Sequence, residues 1–241
     1  MKIKSIILIL LAGALLSFSF AFPESIKRSL SANAREAVKP ATAIPVSRSA
    51  YDSLHLDLSG LNREAFDYAV KGIQKLKASG QLLNETIVTI VDFSQPSYKK
   101  RLYIVDLKNY HVLFNTWVAH GKNSGREWAN SFSNTLSSFK SSPGFYITGE
   151  TYNGSNGYSL KLNGMEKGIN DRANERAIVV HGADYVSQNF ISDRGYIGRS
   201  YGCPAVPLRQ AQPIINAIKN GTCFFIYNPD ESYTRHSQML G

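Results

Sequence analysis

Two stretches within residues 180–207 bring together the side chains best suited to chemistry: Val180-His181-Gly182-Ala183-Asp184-Tyr185 and Arg199-Ser200-Tyr201-Gly202-Cys203-Pro204-Ala205-Val206-Pro207. A thiol attacks as its thiolate, and at neutral pH it needs a base or a cationic neighbour to become one. His181 follows the apolar run Ala177-Ile178-Val179-Val180, so it is predicted at the end of a short strand, held firmly enough to serve as that base. Cys203 follows Gly202, whose missing Cβ permits a tight turn, and the amides of such a turn can point at a developing oxyanion. Pro204 removes a backbone donor, which predicts Cys203 on an exposed, irregular turn outside any ladder.

Other residues compete for these roles. Cys223 lies in Thr222-Cys223-Phe224-Phe225-Ile226-Tyr227, an apolar run typical of a central strand, where a cysteine is an inert small hydrophobe. In an exported chain a Cys203–Cys223 disulfide is the plain alternative; it would stabilise the fold by about 3 kcal/mol and leave a binding module without activity. His120-Gly121 is a second His-Gly step after an apolar strand and a second candidate base, whereas His55, His111 and His236 sit in ordinary contexts. A zinc site from His181, Asp184, His120 and Cys203 would make a metallopeptidase, but no pair of histidines has recognised metal spacing, so no metal or other cofactor is expected.

These residues need a scaffold, and the chain supplies its signals in order. Lys2 and Lys4, an apolar run at 6–16 and Ser19-Phe20-Ala21 form a secretory leader over residues 1–21; a retained anchor is the alternative, near the lower length limit for spanning. Residues 22–50, rich in Ala, Ser and Pro, read as a linker or mobile arm, and residues 51–241 as one domain. Asn62 as N-cap, Phe66, Ala69, Val70, Ile73 and Leu76 on one face, and Gly80 as a stop predict a helix. Strands are predicted over 86–93, 101–107, 111–119, 144–152, 158–162, 177–180 and 222–227, a hairpin turn at Asn156-Gly157, and a helix over 208–219. From residue 86 onward the β signals dominate, in agreement with a fold that is mainly β with a few helices. The formal charge of +9 is spread along the chain and suits any polyanionic surface, but export and the lack of nucleic-acid motifs exclude nucleic acid as partner.

His181-Gly182 followed by Ser200-Tyr201-Gly202-Cys203 resembles the signature of the murein L,D-transpeptidase catalytic domain family, the YkuD-like enzymes of peptidoglycan. The branch with Gly-Cys-Pro-Ala-Val-Pro is the nearest in pattern. Asp92-Phe93-Ser94, Ala119-His120-Gly121, Phe132-Ser133-Asn134, Gly149-Glu150-Thr151-Tyr152, Asn156-Gly157-Tyr158-Ser159-Leu160 and Gly168-Ile169-Asn170 extend the likeness from about residue 60 to Tyr227. The resemblance implies a β-sandwich or barrel domain, export to the periplasm or cell envelope, and peptidoglycan peptide stems as partners. Oligomeric state is left open.

It further implies that Cys203 attacks the third-residue carbonyl of a tetrapeptide stem with His181 as base. The Gly182 carbonyl would orient the imidazole, and the N–H groups of Tyr201, Gly202 and Cys203 would hold the oxyanion. An amine acceptor makes the enzyme a transpeptidase; water at the same Cys/His site makes it an L,D-carboxypeptidase or endopeptidase; the disulfide alternative would be a wall-binding module. Tyr201 and Ala205 stand where the wider family has histidine and a polar residue. Substrate contacts are assigned to Arg199, Ser200, Tyr158 and His120, the last on the groove wall, with Arg199 as a plain solvated turn residue the alternative.

Overall fold

The computed structural model describes residues 46–241; the expected leader and most of the arm lie outside the described residues. Helix α1, Val46–Ser53, starts inside the stretch read as linker and ends with Ala50 and Tyr51 buried. Helix α2, Arg63–Ala78, forms where the sequence predicted it. The Asn62 side chain accepts from the N–H of Glu64 at 2.8 Å, and Phe66, Ala69, Val70, Ile73 and Leu76 face the core.

Strands β1 (Ile87–Asp92), β2 (Leu102–Asp106) and β3 (His111–Thr116) follow as an antiparallel meander. Strands β4 (Gly144–Gly154) and β5 (Gly157–Gly164) form the expected hairpin, with Gly157 at φ 73° supplying the left-handed turn residue. Next come β6 (Val179–Ala183), helix α3 (Gln188–Arg194), β7 (Ala205–Pro207), helix α4 (Leu208–Ile218), β8 (Cys223–Tyr227) and helix α5 (Glu231–His236).

All eight strands make one sheet in the order β3-β2-β1-β8-β4-β5-β6-β7. A bridge between Ala119 and Ala205 brings the chain leaving β3 against β7, so the two ends of the sheet approach and the sheet curls towards a barrel. The central strands are apolar on both sides. Val88 and Ile90 of β1 pack with α2, while Ile87 and Val91 join the core around Ile214, Ile215 and Ile218 of α4. That two-sided burial explains why β1 and β8 read as continuous apolar runs and not as alternation. Among the described residues, no helix is long and apolar enough to cross a membrane.

Three local expectations change. Ala177 has φ 52° and the strand begins at Val179, so His181 is its middle residue, not its end. Pro204 does not postpone the ladder: β7 starts at the next residue and pairs in parallel with β6, His181 opposite Ala205. Cys203 is accordingly half-buried at the foot of a strand, where an exposed turn was expected.

The C-terminal segment is held by Glu166, which is fully buried. Its carboxylate accepts from the Phe145 N–H at 2.7 Å, the Tyr233 hydroxyl at 3.2 Å and the Ser237 hydroxyl. Burial pushes its pKa up, and these donors only partly offset that. A carboxyl whose folded pKa is raised favours the fold in its protonated form, so this contribution is present at low pH and is lost as pH rises through the raised value. Glu166→Gln keeps an acceptor for Phe145 and Tyr233 and removes the titration. Urea unfolding between pH 4 and 8 is expected to show a downward slope with pH in the wild type that is reduced in the variant; equal slopes would refute this origin.

Candidate active site

Strand β6 delivers His181 into a groove of about 790 Å³ whose lining also includes Gly182, Tyr185, Arg199, Tyr201 and Cys203. The imidazole is 5% exposed, and its Nδ1 lies 2.9 Å from the carbonyl oxygen of its neighbour Gly182. A carbonyl only accepts, so Nδ1 carries the proton and Nε2 keeps its lone pair. Gly182 is required for close approach: a Cβ there would come within 2.8 Å of Ala211 Cβ and 3.1 Å of Leu208 Cα, where α4 crosses the strand.

The Cys203 turn is built from the Ser200 side chain. Its hydroxyl donates to the Cys203 carbonyl at 2.6 Å and accepts from the Gly202 N–H at 3.0 Å. Gly202 has φ 122°, and a Cβ at this position would lie 2.8 Å from the Lys140 carbonyl oxygen. The turn is then tied to the segment after β3, through Ser200 N–H to the His120 carbonyl at 2.9 Å, Lys122 N–H to the Ser200 carbonyl at 2.8 Å and Ala119 N–H to the Ala205 carbonyl at 2.8 Å.

That segment rests on Arg101, a fully buried cation. Its guanidinium donates to the Val118 carbonyl at 3.0 and 3.2 Å, to the Gln95 carbonyl at 2.8 Å and to His120 Nδ1 at 2.7 Å. Burial lowers its pKa to about 9 against the attraction of Asp92.

Burial biases Cys203 and His181 towards their neutral forms. Burial pushes the Cys203 thiol up, against the opposing pull of the Val179 N–H and the Arg176 charge. Burial likewise lowers His181, against the Gly182 carbonyl. The Cys203 Sγ lies 3.6 Å from the Ala177 carbonyl oxygen and lines the same groove as the His181 ring.

The expected site is only partly assembled. His181, Gly182, Arg199, Ser200, Tyr201 and Cys203 meet in the groove. His120 does not: its ring is fully buried, accepts from Arg101 at Nδ1 and donates from Nε2 to the Gly125 carbonyl at 3.3 Å, and burial lowers its pKa to about 3. It is neither a groove wall nor a second base, and with both nitrogens occupied it cannot complete the zinc set. Tyr158 turns its hydroxyl to Asn216 on α4 at 3.0 Å, outside the groove lining. The Gly202 N–H is engaged by Ser200, so of the three expected oxyanion donors only those of Tyr201 and Cys203 lack a hydrogen-bond partner among the described residues. Arg199 donates to the carbonyls of Lys122 and Gly125, at 3.3 and 3.0 Å, and stays exposed. Both cysteines are free, Cys223 being wholly buried in β8, so the disulfide arrangement is absent.

A family model described as an L,D-transpeptidase catalytic domain matches residues 57–227. The chain belongs to the L,D-transpeptidase catalytic domain family. No curated protein matches it. Solved structures similar to this L,D-transpeptidase domain include an L,D-transpeptidase from Mycobacterium smegmatis, 12% identical over 59% of each chain with a TM-score of 0.37. Another, from Mycobacterium tuberculosis, is 14% identical over 59% of this chain and 58% of its own, with a TM-score of 0.36. The helical cell shape determining protein Pgp2 from Campylobacter jejuni is 12% identical over 60% of this chain and 48% of its own, at 0.40. The chain thus spans less than two thirds of the length of the solved structures it resembles.

Sequence reasoning missed the far side of the groove. Tyr185, Phe190, Arg194 and Tyr196 line it from α3 and its flanks. The available signal was Ser187 before the helix and Gly195, at φ 82°, after it.

Two outcomes follow. Arg101→Met strands the Val118 and Gln95 carbonyls and His120 Nδ1, and is expected to lower stability by about 3 kcal/mol or more in urea unfolding, with faster amide exchange at Ser200 and Lys122. Alkylation of Cys203 by iodoacetamide is expected to accelerate with pH and to level off above the ~8.5 of an ordinary thiol; a plateau at that value would refute the upward push of burial, and one well below it would mean a preformed thiolate–imidazolium pair.

Proposed function

We propose that this protein is a peptidoglycan L,D-transpeptidase working through a Cys203 acyl-enzyme. The observation that carries the reading is the His181 ring, whose proton on Nδ1 is held by the Gly182 carbonyl, leaving Nε2 as a base in the groove that Cys203 lines. The substrate is the tetrapeptide stem of the wall polymer; the leader expected at residues 1–21 would carry the protein to the periplasm or envelope, where that polymer lies.

In the first half-reaction the Cys203 proton passes to His181 Nε2 as sulfur bonds to the carbonyl carbon of the third stem residue. The oxyanion is held by the N–H groups of Tyr201 and Cys203. Collapse breaks the amide bond, and His181 returns the proton to the departing amine of the terminal D-residue. In the second half an amine from another stem attacks the thioester, gives its proton to His181, and releases the cross-linked product; the sulfur leaves as thiolate and is reprotonated. Arg199, Lys122 and Arg194 give the groove cationic groups for stem carboxylates, and Ser200 acts through the turn it shapes.

The test is incubation of the protein and its Cys203→Ala variant with purified tetrapeptide muropeptides and a free D-amino acid, followed by mass spectrometry. Exchange of the terminal residue or cross-linked dimers with the wild type alone is the expected outcome. Loss of the terminal residue without exchange would make the enzyme a carboxypeptidase, and turnover by Cys203→Ala would sink the assignment of the nucleophile.

A further inference from the structure

A second cavity, of about 660 Å³, opens where β8 ends and the chain enters β4, with Asn130, Phe132, Asn134, Ile169, Asn228 and Ser232 in its lining. None of its lining residues belongs to the groove of His181 and Cys203.

Asn228 is the telling residue. It is only 5% exposed, yet its side-chain amide takes part in none of the side-chain hydrogen bonds among the described residues, unlike its neighbours Tyr227 and Asp230. Asn228 lines the cavity at the end of β8, so the little exposure the residue retains lies at that wall. Buried amides in folded chains are paired, and the nearby buried Asn170 obeys the rule: its Nδ2 donates to the Pro143 and Phe145 carbonyls, each at 3.0 Å, and its Oδ1 accepts from the Glu166 N–H at 3.0 Å. Asn228 therefore offers an acceptor and two donors to whatever enters.

The rest of the wall defines the visitor. Phe132 is held in place by stacking on Phe93, ring centroids 6.1 Å apart, and provides a rigid apolar plate. His236 donates from Nδ1 to the Ser232 carbonyl at 2.7 Å, which leaves Nε2 as an acceptor. Lys167 and Asp230 balance each other, so the lining favours neither a polyanion nor a polycation. An extended peptide has no strand edge to join here, because β8 and β4 are each paired on both sides. An uncharged ligand with amide and hydroxyl groups around a ring that has an apolar face fits this wall.

We propose that this cavity binds an N-acetylated sugar of a glycan strand, with Asn228 pairing its acetamido group and Phe132 lying against its ring. The cavity argument stands by itself; the choice of a wall glycan as the natural ligand rests on the proposed function.

The probe is the hexamer of N-acetylglucosamine, titrated into the full chain by calorimetry and by NMR. Saturable binding is expected, with shifts confined to the lining of this cavity, and equal binding is expected for Cys203→Ala. Asn228→Leu should weaken binding by about tenfold, and the exposed Asn130→Ala, which leaves the core untouched, by several-fold. Unchanged thermal unfolding and Cys203 alkylation would establish that both variants are folded. No saturable binding, equal affinity in wild type and both variants, or preference for a sugar-free tetrapeptide over the hexamer would each overturn the proposal. Failure of the muropeptide assay with sugar binding intact would instead remove the transpeptidase reading alone.

Discussion

One buried cation organises the half of the molecule that bears the groove. Arg101, on the chain entering β2, is entirely out of solvent and engages four of its five N–H donors with two carbonyls and one imidazole. An ion so placed is tolerated only if its donors are matched, and the matching partners fix the course of residues 118–120. Those residues in turn supply the backbone groups that hold Ser200 and Ala205 on either side of Cys203. The position of the thiol thus depends on a charge that touches neither the thiol nor its base.

The same dependence on burial shapes the chemistry. Cys203 and His181 are each pushed towards their neutral forms, the thiol upward and the imidazole downward. In the proposed reaction, groups biased in this way would transfer the proton as the bond to sulfur forms. The local hydrogen bonds serve that arrangement: Gly182 selects the tautomer, and Ser200 draws the turn tight at the expense of one amide, that of Gly202.

Much of the scaffold was legible because its signals are local. The α2 helix was announced by an N-cap, a 3.6-residue apolar period and a stop, and the β1 and β8 strands by short runs of β-branched and aromatic residues. Strand β7 and the true start of β6 were not. Pro204 and Pro207 argue against a ladder, and Ala177 lies in a left-handed conformation that no side-chain pattern reveals. In both places pairing with a distant strand outweighed local preference.

The sequence by itself determined that a thiol behind a glycine and an imidazole on an apolar strand would be the reactive candidates, and that strand signals would dominate from residue 86 onward. Residue type and spacing are sufficient for that, since reactivity and strand propensity belong to short segments. Only the tertiary structure decided between residues of the same type: His181 opens on the groove whereas His120 is enclosed against Arg101, and Cys203 stays accessible whereas Cys223 is sealed in β8. The physical reason is that burial and hydrogen-bond partnership are set by contacts between segments far apart in the chain, so identical His-Gly steps acquire opposite environments.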